Sequence, residues 1–184
     1  VPDGAVRADP SGILVCGLNG SGKTTLGKAL AAKLGFHFID SEALFFPAGP
    51  DYSAPCSRAE AAERLLAEIR AHSDFVLADV RGDYGAEAAA FYRCAVRLDV
   101  PREIRMQRIR ARALEKFGRR MLPGGNLYAR EKAFLDMAAA RTERDLDVWL
   151  QALRCPILRA DGTLPIGQNA AHLAQTLRDM PALR

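Results

Sequence analysis

Residues 17–25 read GLNGSGKTT and place Gly17, Gly22, Lys23 and Thr24 at the spacing G-x-x-x-x-G-K-[ST]. This spacing suits a polyphosphate. Glycines adopt backbone conformations closed to other residues, so consecutive N–H groups through Asn19, Gly20 and Ser21 can turn inward around phosphate oxygens. Lys23 offers a point charge for the β- and γ-phosphates, and the Thr24 hydroxyl can ligate Mg²⁺. Thr25 leads into a segment of helical pattern, whose N-terminus adds its positive end to the cradle.

Two acidic stretches can complete such a site. Asp79 ends the apolar run FVLAD and is the residue expected to hold Mg²⁺, directly or through water. Asp40 ends FHFID and has two readings: it orients an acceptor hydroxyl and takes its proton, or it caps a helix beginning near Glu42. Arg81, beside Gly82 and just past a buried run, is expected to bind an anionic group of a substrate. Phe45, with Phe46 and Tyr52, can stack on a ring or pack in the core.

Arginines supply the remaining chemistry. Arg105, Arg108 and Arg112 fall at i, i+3 and i+7 of one helical stripe, and most of this helix's arginines are expected to form a solvated basic face. Phosphoryl transfer also needs cations over the migrating group, carried on a segment that closes over it. KFGRRMLPGGNLYAR has the glycines and arginines of such a lid, with Arg112, Arg119 and Arg120 as the residues expected to reach the nucleotide. Arg141 continues an apolar stripe through Phe134, Met137 and Ala138, and so needs a partner: Asp145 four residues on, or a nucleotide phosphate.

The elements that must position these residues alternate between short apolar runs and helical periodicity, the signature of βαβ units on a parallel sheet. Strands are expected at 13–16, 36–40, 75–79, 95–100 and 156–161. Helices are expected over 23–34, ending at Gly35, over the segment opened by Ser57 and Glu60 in capping-box spacing, from Pro101 onward, over 129–153 and over 166–179. The fold class is therefore α/β. Residues 1–11 read as a leader, and 12–184 as a single domain with a helical lid over about 112–130.

Composition fits a chain of this kind. Of the 184 residues, 49% are hydrophobic and 26% charged, as in ordinary globular proteins rather than disordered ones. The net charge of +4 is too small and too dispersed to suggest a nucleic-acid partner. No apolar run is long enough to span a bilayer. Cys16, Cys56, Cys94 and Cys155 show neither CxxC pairing nor metal spacing, which fits reduced thiols in the cytoplasm. A guanine-reading N-K-x-D is absent, as is the LSGGQ signature.

GLNGSGKTT, LGFHFIDSE, ADVRG, RIRAR and DGTLP together resemble the adenylate-kinase/shikimate-kinase branch of P-loop proteins from Gly12 onward. The chain is also similar to a group of small, uncharacterised, AAA-labelled ATPases with the same lid phrase. The resemblance implies a P-loop three-layer fold, with a five-stranded parallel sheet between helices. It also implies ATP as the nucleotide, with an arginine near Arg112 or Arg119 over the adenine and Asp161, Gly162 and Thr163 beside the base. It favours Asp40 as an acceptor residue. The chain departs from both kinases in VRGDYG after the third strand and in GRRMLPGGNLY, so the acceptor does not carry over. The expected activity is transfer of the γ-phosphoryl group of ATP-Mg to a small acceptor, by a monomer or homodimer. The alternative is a nucleotide-dependent ATPase or switch with no such acceptor.

Overall fold

Ile13, Leu14, Val15 and Cys16 are fully buried because β1 (Ser11–Cys16) is the central strand of a five-stranded sheet, covered on both faces. That is why the strand reads as a continuous apolar run rather than an alternating one. The computed structural model describes residues 10–49 and 54–180. The expected leader, which falls largely in 1–9, and Tyr52 lie outside the described residues.

After β1 come α1 (Lys23–Leu34), β2 (His37–Asp40), α2 (Ser41–Phe45), α3 (Arg58–Ala71), β3 (Asp74–Asp79) and α4 (Ala86–Ala89). They are followed by β4 (Tyr92–Asp99), α5 (Arg102–Phe117), α6 (Tyr128–Ala140), α7 (Glu143–Gln151), β5 (Ile157–Asp161) and α8 (Ile166–Asp179). The strand order is β2-β3-β1-β4-β5, and every neighbouring pair is parallel. The expected fold class is thus the observed one.

Alternating side chains along the strands feed two cores. On one face Leu14, Cys16, Phe75 and Leu77 pack with Leu65 and Ile69 of α3 and Leu146 and Leu150 of α7. On the other, Ile13, Val15, Val76 and Val96 pack with Leu26 and Leu30 of α1 and Leu173 and Leu177 of α8. Ser57 and Glu60 form the capping box that starts α3, and Gly35 closes α1 in the left-handed conformation at φ 74°.

One expectation is corrected. The helix foreseen over 129–153 is two helices, because Arg141 (ψ 134°) and Thr142 (ψ 158°) are extended between α6 and α7. The apolar stripe that suggested continuity does not lie in the core throughout: Ala138 is fully buried, but Met137 is 38% exposed. Leaving the helix at Arg141 gives its side chain a tertiary partner, described below.

The segment expected as a lid over about 112–130 comprises the end of α5, a 3-10 turn (Gly118–Met121), a loop and the start of α6. Met106 and Ile109 of α5 and Ala138 of α6 make a small apolar cluster of their own, so this hairpin is held by its own packing. Among the described residues no helix is long and apolar enough to cross a membrane.

Candidate active site

The phosphate loop connects β1 to α1 at the carboxyl end of the sheet. Gly20 and Gly22 take φ of 81° and 92°, values that side-chain-bearing residues avoid. At Gly17 an added Cβ would lie 2.7 Å from Ser21 Oγ and 3.0 Å from the Leu98 carbonyl, so the loop can pass there only without a side chain. No side chain caps the first turn of α1, which leaves its amides for an anion. Ser21 Oγ is buried and has no hydrogen-bond partner among the described residues. Uncapped amides at the start of α1 and an orphaned hydroxyl fit a polyphosphate, whereas the Ser21 N–H, expected to face it, donates to the Leu18 carbonyl at 3.1 Å. Thr24 is half-buried on the first turn, and Thr25 is exposed.

Lys23 is the point where the dispersed residues meet. Burial presses its pKa below the ordinary lysine value; the charges acting on it are, in order, Asp79, Arg112, Asp40 and Arg141. The carboxylates raise the pKa and the guanidiniums lower it. Asp79 is brought beside the loop by strand pairing, since Cys16 of β1 is in register with Asp79 of β3. Its Oδ1 accepts from the Val80 N–H at 2.7 Å and its Oδ2 from the Gly82 N–H at 3.1 Å, which orients the carboxylate and leaves lone pairs on both oxygens. Asp40 Oδ1 accepts from the Glu42 N–H at 3.1 Å, so the capping reading of Asp40 is realised on α2 while its charge still reaches Lys23.

Beside this cluster opens a cleft of about 340 Å³ lined by Phe45, Arg58, Asp79, Arg81, Arg141 and Asp145, among others. Phe45, Arg81, Asp79 and Arg141 are thus brought together. Arg141 Nη1 donates to Asn19 Oδ1 at 2.7 Å, while Asp145 accepts instead from the Thr142 hydroxyl at 3.3 Å, so the i,i+4 pairing of Arg141 with Asp145 is replaced by a tertiary one. Burial, then the Arg81 charge, lower the Arg141 pKa, and Asp79 opposes them. Two guanidiniums facing one space and repelling each other suit an anion between them. Phe45 also tilts against Tyr84 at 6.1 Å between ring centroids, so it serves the core and the cleft together.

The solvated-face expectation for the arginines of α5 fails for Arg105, which is buried, while Arg108 is exposed as expected but spends its guanidinium on backbone carbonyls. Arg105 is 1% exposed, and its Nε donates to the Val100 carbonyl at 3.3 Å and its Nη1 to the Asn19 carbonyl at 3.2 Å. Arg108 donates from Nη1 to the Ser21 carbonyl at 3.3 Å and from Nη2 to the Gly162 carbonyl at 3.0 Å. Periodicity put them on one face; it carried no sign that this face meets the phosphate loop. Arg58 is a further cleft residue that the sequence reading missed, because α3 begins far along the chain from either acidic stretch.

Asp161, Gly162 and Thr163 form a tight turn after β5. Asp161 Oδ1 accepts from the Thr163 N–H at 2.8 Å and its hydroxyl at 2.6 Å, and Arg108 ties this turn to the phosphate loop. Of the arginines expected on a lid, Arg112 acts on Lys23 electrostatically, whereas Arg120 donates to Asn126 Oδ1 at 3.1 Å within its own segment and Arg119 is exposed on the 3-10 turn. Those two are not brought to Lys23.

A cluster of metal-ligating side chains, His37, Glu68 and His72, lies away from this site. Its imidazoles stack at 3.5 Å with an interplanar angle of 9°. In-plane lone pairs of parallel rings cannot converge on one ion, so the cluster stands as a stacked pair around the Glu68 carboxylate, with His37 Nε2 at 2.9 Å.

Comparison with known proteins agrees with this fold. A family model described as an AAA domain matches residues 13–126, from β1 into the loop before α6. YqaC of Bacillus subtilis (strain 168), itself described as uncharacterised, is 23% identical over 173 residues, covering 90% of this chain and 96% of that protein. A gluconokinase from Sinorhizobium meliloti 1021 superposes with a TM-score of 0.52 at 18% identity, covering 94% of this chain and 98% of its own. A shikimate kinase from Acinetobacter baumannii, solved with shikimate, gives a TM-score of 0.54 at 18% identity, covering 94% and 92%. The fold is that of the P-loop kinases.

Proposed function

The chain belongs to the AAA-domain family, and with its phosphate loop and arginine-lined cleft as the premise we propose that it transfers the γ-phosphoryl group of ATP to a hydroxyl of a small, anionic acceptor. The observation that carries this reading is the junction of two compartments: Asp79 and Arg141 both act on Lys23 and line the neighbouring cleft. A nucleotide-dependent switch has no need of a second, cationic compartment beside the lysine of its phosphate loop. Solved neighbours named as a gluconokinase and as a shikimate kinase holding shikimate support the same reading.

In this mechanism the acceptor's anionic group lies between Arg81 and Arg141, with Arg58 at the cleft wall and Phe45 against its carbon skeleton. The acceptor hydroxyl attacks the γ-phosphorus. Asp40 takes the hydroxyl proton, the bond from phosphorus to the bridging oxygen breaks, and ADP leaves with the electron pair. Lys23 and Arg141 counter the charge on the migrating group, and Arg112 and Arg119 add to this as the lid closes. The Thr24 hydroxyl and Asp79 would hold Mg²⁺, which would supply charge neutralisation across the phosphates. Gly17, Asn19, Gly20, Ser21, Gly22 and Thr25 form the cradle, while Arg120 and the turn Asp161, Gly162 and Thr163 flank the base.

The test is ATP turnover with and without a panel of hydroxy acids, sugar acids, nucleosides and nucleotides. Stimulation by an acidic, hydroxyl-bearing compound, with a phosphorylated product identified by mass, is the expected result. Turnover that no acceptor stimulates, with nucleotide changing only the affinity for another protein, would instead establish the switch.

A further inference from the structure

The outward side of the phosphate loop is held by two arginines of α5. Arg105 donates to the carbonyl of Asn19 at 3.2 Å, and Arg108 to the carbonyl of Ser21 at 3.3 Å. These carbonyls belong to the peptides whose N–H groups are those of Gly20 and Gly22. No peptide bond of the described residues is cis, and in a trans peptide the C=O and N–H point in opposite directions. A guanidinium on the carbonyl of each peptide therefore fixes its N–H toward the opposite side, the inside of the cradle. Gly20 and Gly22 are the loop residues at positive φ, so these are the peptides with most freedom to turn over.

We propose that Arg105 and Arg108 are positioning residues for phosphate binding, which lock the 19–20 and 21–22 peptides and aim the Gly20 and Gly22 N–H groups at the polyphosphate. The cation on each carbonyl also polarises the peptide, so the facing N–H becomes a stronger donor. Burial supports the assignment for Arg105. A guanidinium in a protein interior is costly unless its donors are satisfied, and at 1% exposure Arg105 directs two of them at Val100 and Asn19 while Glu143 lies 3.7 Å from the third nitrogen. The backbone of α5 also seats the loop directly: a Cβ at Gly20 would lie 2.5 Å from the Arg105 carbonyl oxygen. Arg108 extends the device to the turn after β5, because its second nitrogen holds Gly162.

The inference rests on the polyphosphate reading of the loop, and the test separates the two. Arg108 is the exposed member, so its variants are expected to fold. Calorimetric titration uses ATP and inorganic tripolyphosphate as probes of wild type, Arg108→Gln and Arg108→Lys. Arg108→Gln is expected to weaken both ligands by the same factor, about tenfold to a hundredfold. Arg108→Lys is expected to recover only part of the loss, since an ammonium is a point charge without the planar fork that places one nitrogen on each carbonyl. A loss confined to ATP would place Arg108 at the base through Gly162 and overturn the proposal, as would full recovery by lysine, which marks a simple charge effect. Wild-type protein that binds neither ligand would overturn the polyphosphate reading itself. A ligand-free readout is the amide resonance of Gly22, expected to move upfield in Arg108→Gln while that of Gly35 stays fixed. An unmoved Gly22 resonance would also overturn the proposal.

Discussion

Arg141 Nη1 donates to Asn19 Oδ1 at 2.7 Å, joining residues 122 apart in sequence, so the break between α6 and α7 is fastened to the phosphate loop. Arg141 also lines the neighbouring cleft, so under the proposed transfer this bond joins the nucleotide side to the acceptor side. Replacing Arg141 by alanine should lower kcat by about 10²–10³-fold, the usual effect of losing one preorganised donor to developing charge. Lysine should restore part of it. Steady-state ADP release checks this, and an unchanged kcat would exclude Arg141 from the transfer step.

Arg81→Ala and Arg58→Ala should raise KM for the acceptor more than KM for ATP, because both residues line the cleft and neither contributes to the cradle. Initial-rate measurements with each substrate varied in turn separate the two. A larger effect on ATP would move Arg81 to the nucleotide side.

Lys23→Ala should abolish turnover, and the protonation of Lys23 should be visible in binding. Burial is the first cause of its lowered pKa. Phosphate anions beside the ammonium should raise that pKa again, so at alkaline pH, between the free and bound values, binding takes up a proton. Affinity for ATP should then fall as pH rises through the pKa of the free site. Calorimetry in buffers of different ionisation enthalpy reads the proton count. The same shift affects folding with a definite sign. The unfolded chain holds this proton more tightly than the native one, so the nucleotide-free protein gains stability from Lys23 as pH rises from its folded toward its unfolded pKa.

Gly12→Ala should destabilise the fold without touching the site. A Cβ there would lie 2.2 Å from Cζ of Phe75, a ring that is fully buried and cannot retreat. Overpacking of this kind costs about 1–3 kcal/mol, or several degrees in Tm at this chain length. Thermal unfolding measures it, and Phe75→Leu in the same chain should recover part of the loss by opening space.

Much of the fold was legible from sequence because its signals are local. The runs ending at Cys16, Asp40, Asp79 and Asp161 announced strands, the bounds Lys23–Leu34 and Ile166–Asp179 matched expectation, and Ser57 with Glu60 announced a helix start. The helix break at Arg141 was not legible. Nothing in the local pattern of 129–153 forbids a continuous helix, and the choice between helix and break is made by a partner in the phosphate loop. The burial of Arg105 and the backbone contacts of the exposed Arg108 were not legible for the same reason: helical periodicity places side chains on a face but cannot say what that face meets.

By itself the sequence determined the chemistry on offer. The glycines, Lys23 and Thr24 form a phosphate loop in any fold that sets them between a strand and a helix, because backbone freedom and charge at fixed spacing are properties of the chain. Only the tertiary structure decided which distant residues share that loop. Strand order brings Asp79 beside Cys16, the helix break brings Arg141 to Asn19, and α5 lays two arginines along the loop's carbonyls. Those meetings depend on how two cores pack against one sheet, and packing is a relation among segments far apart in the chain that no local spacing records.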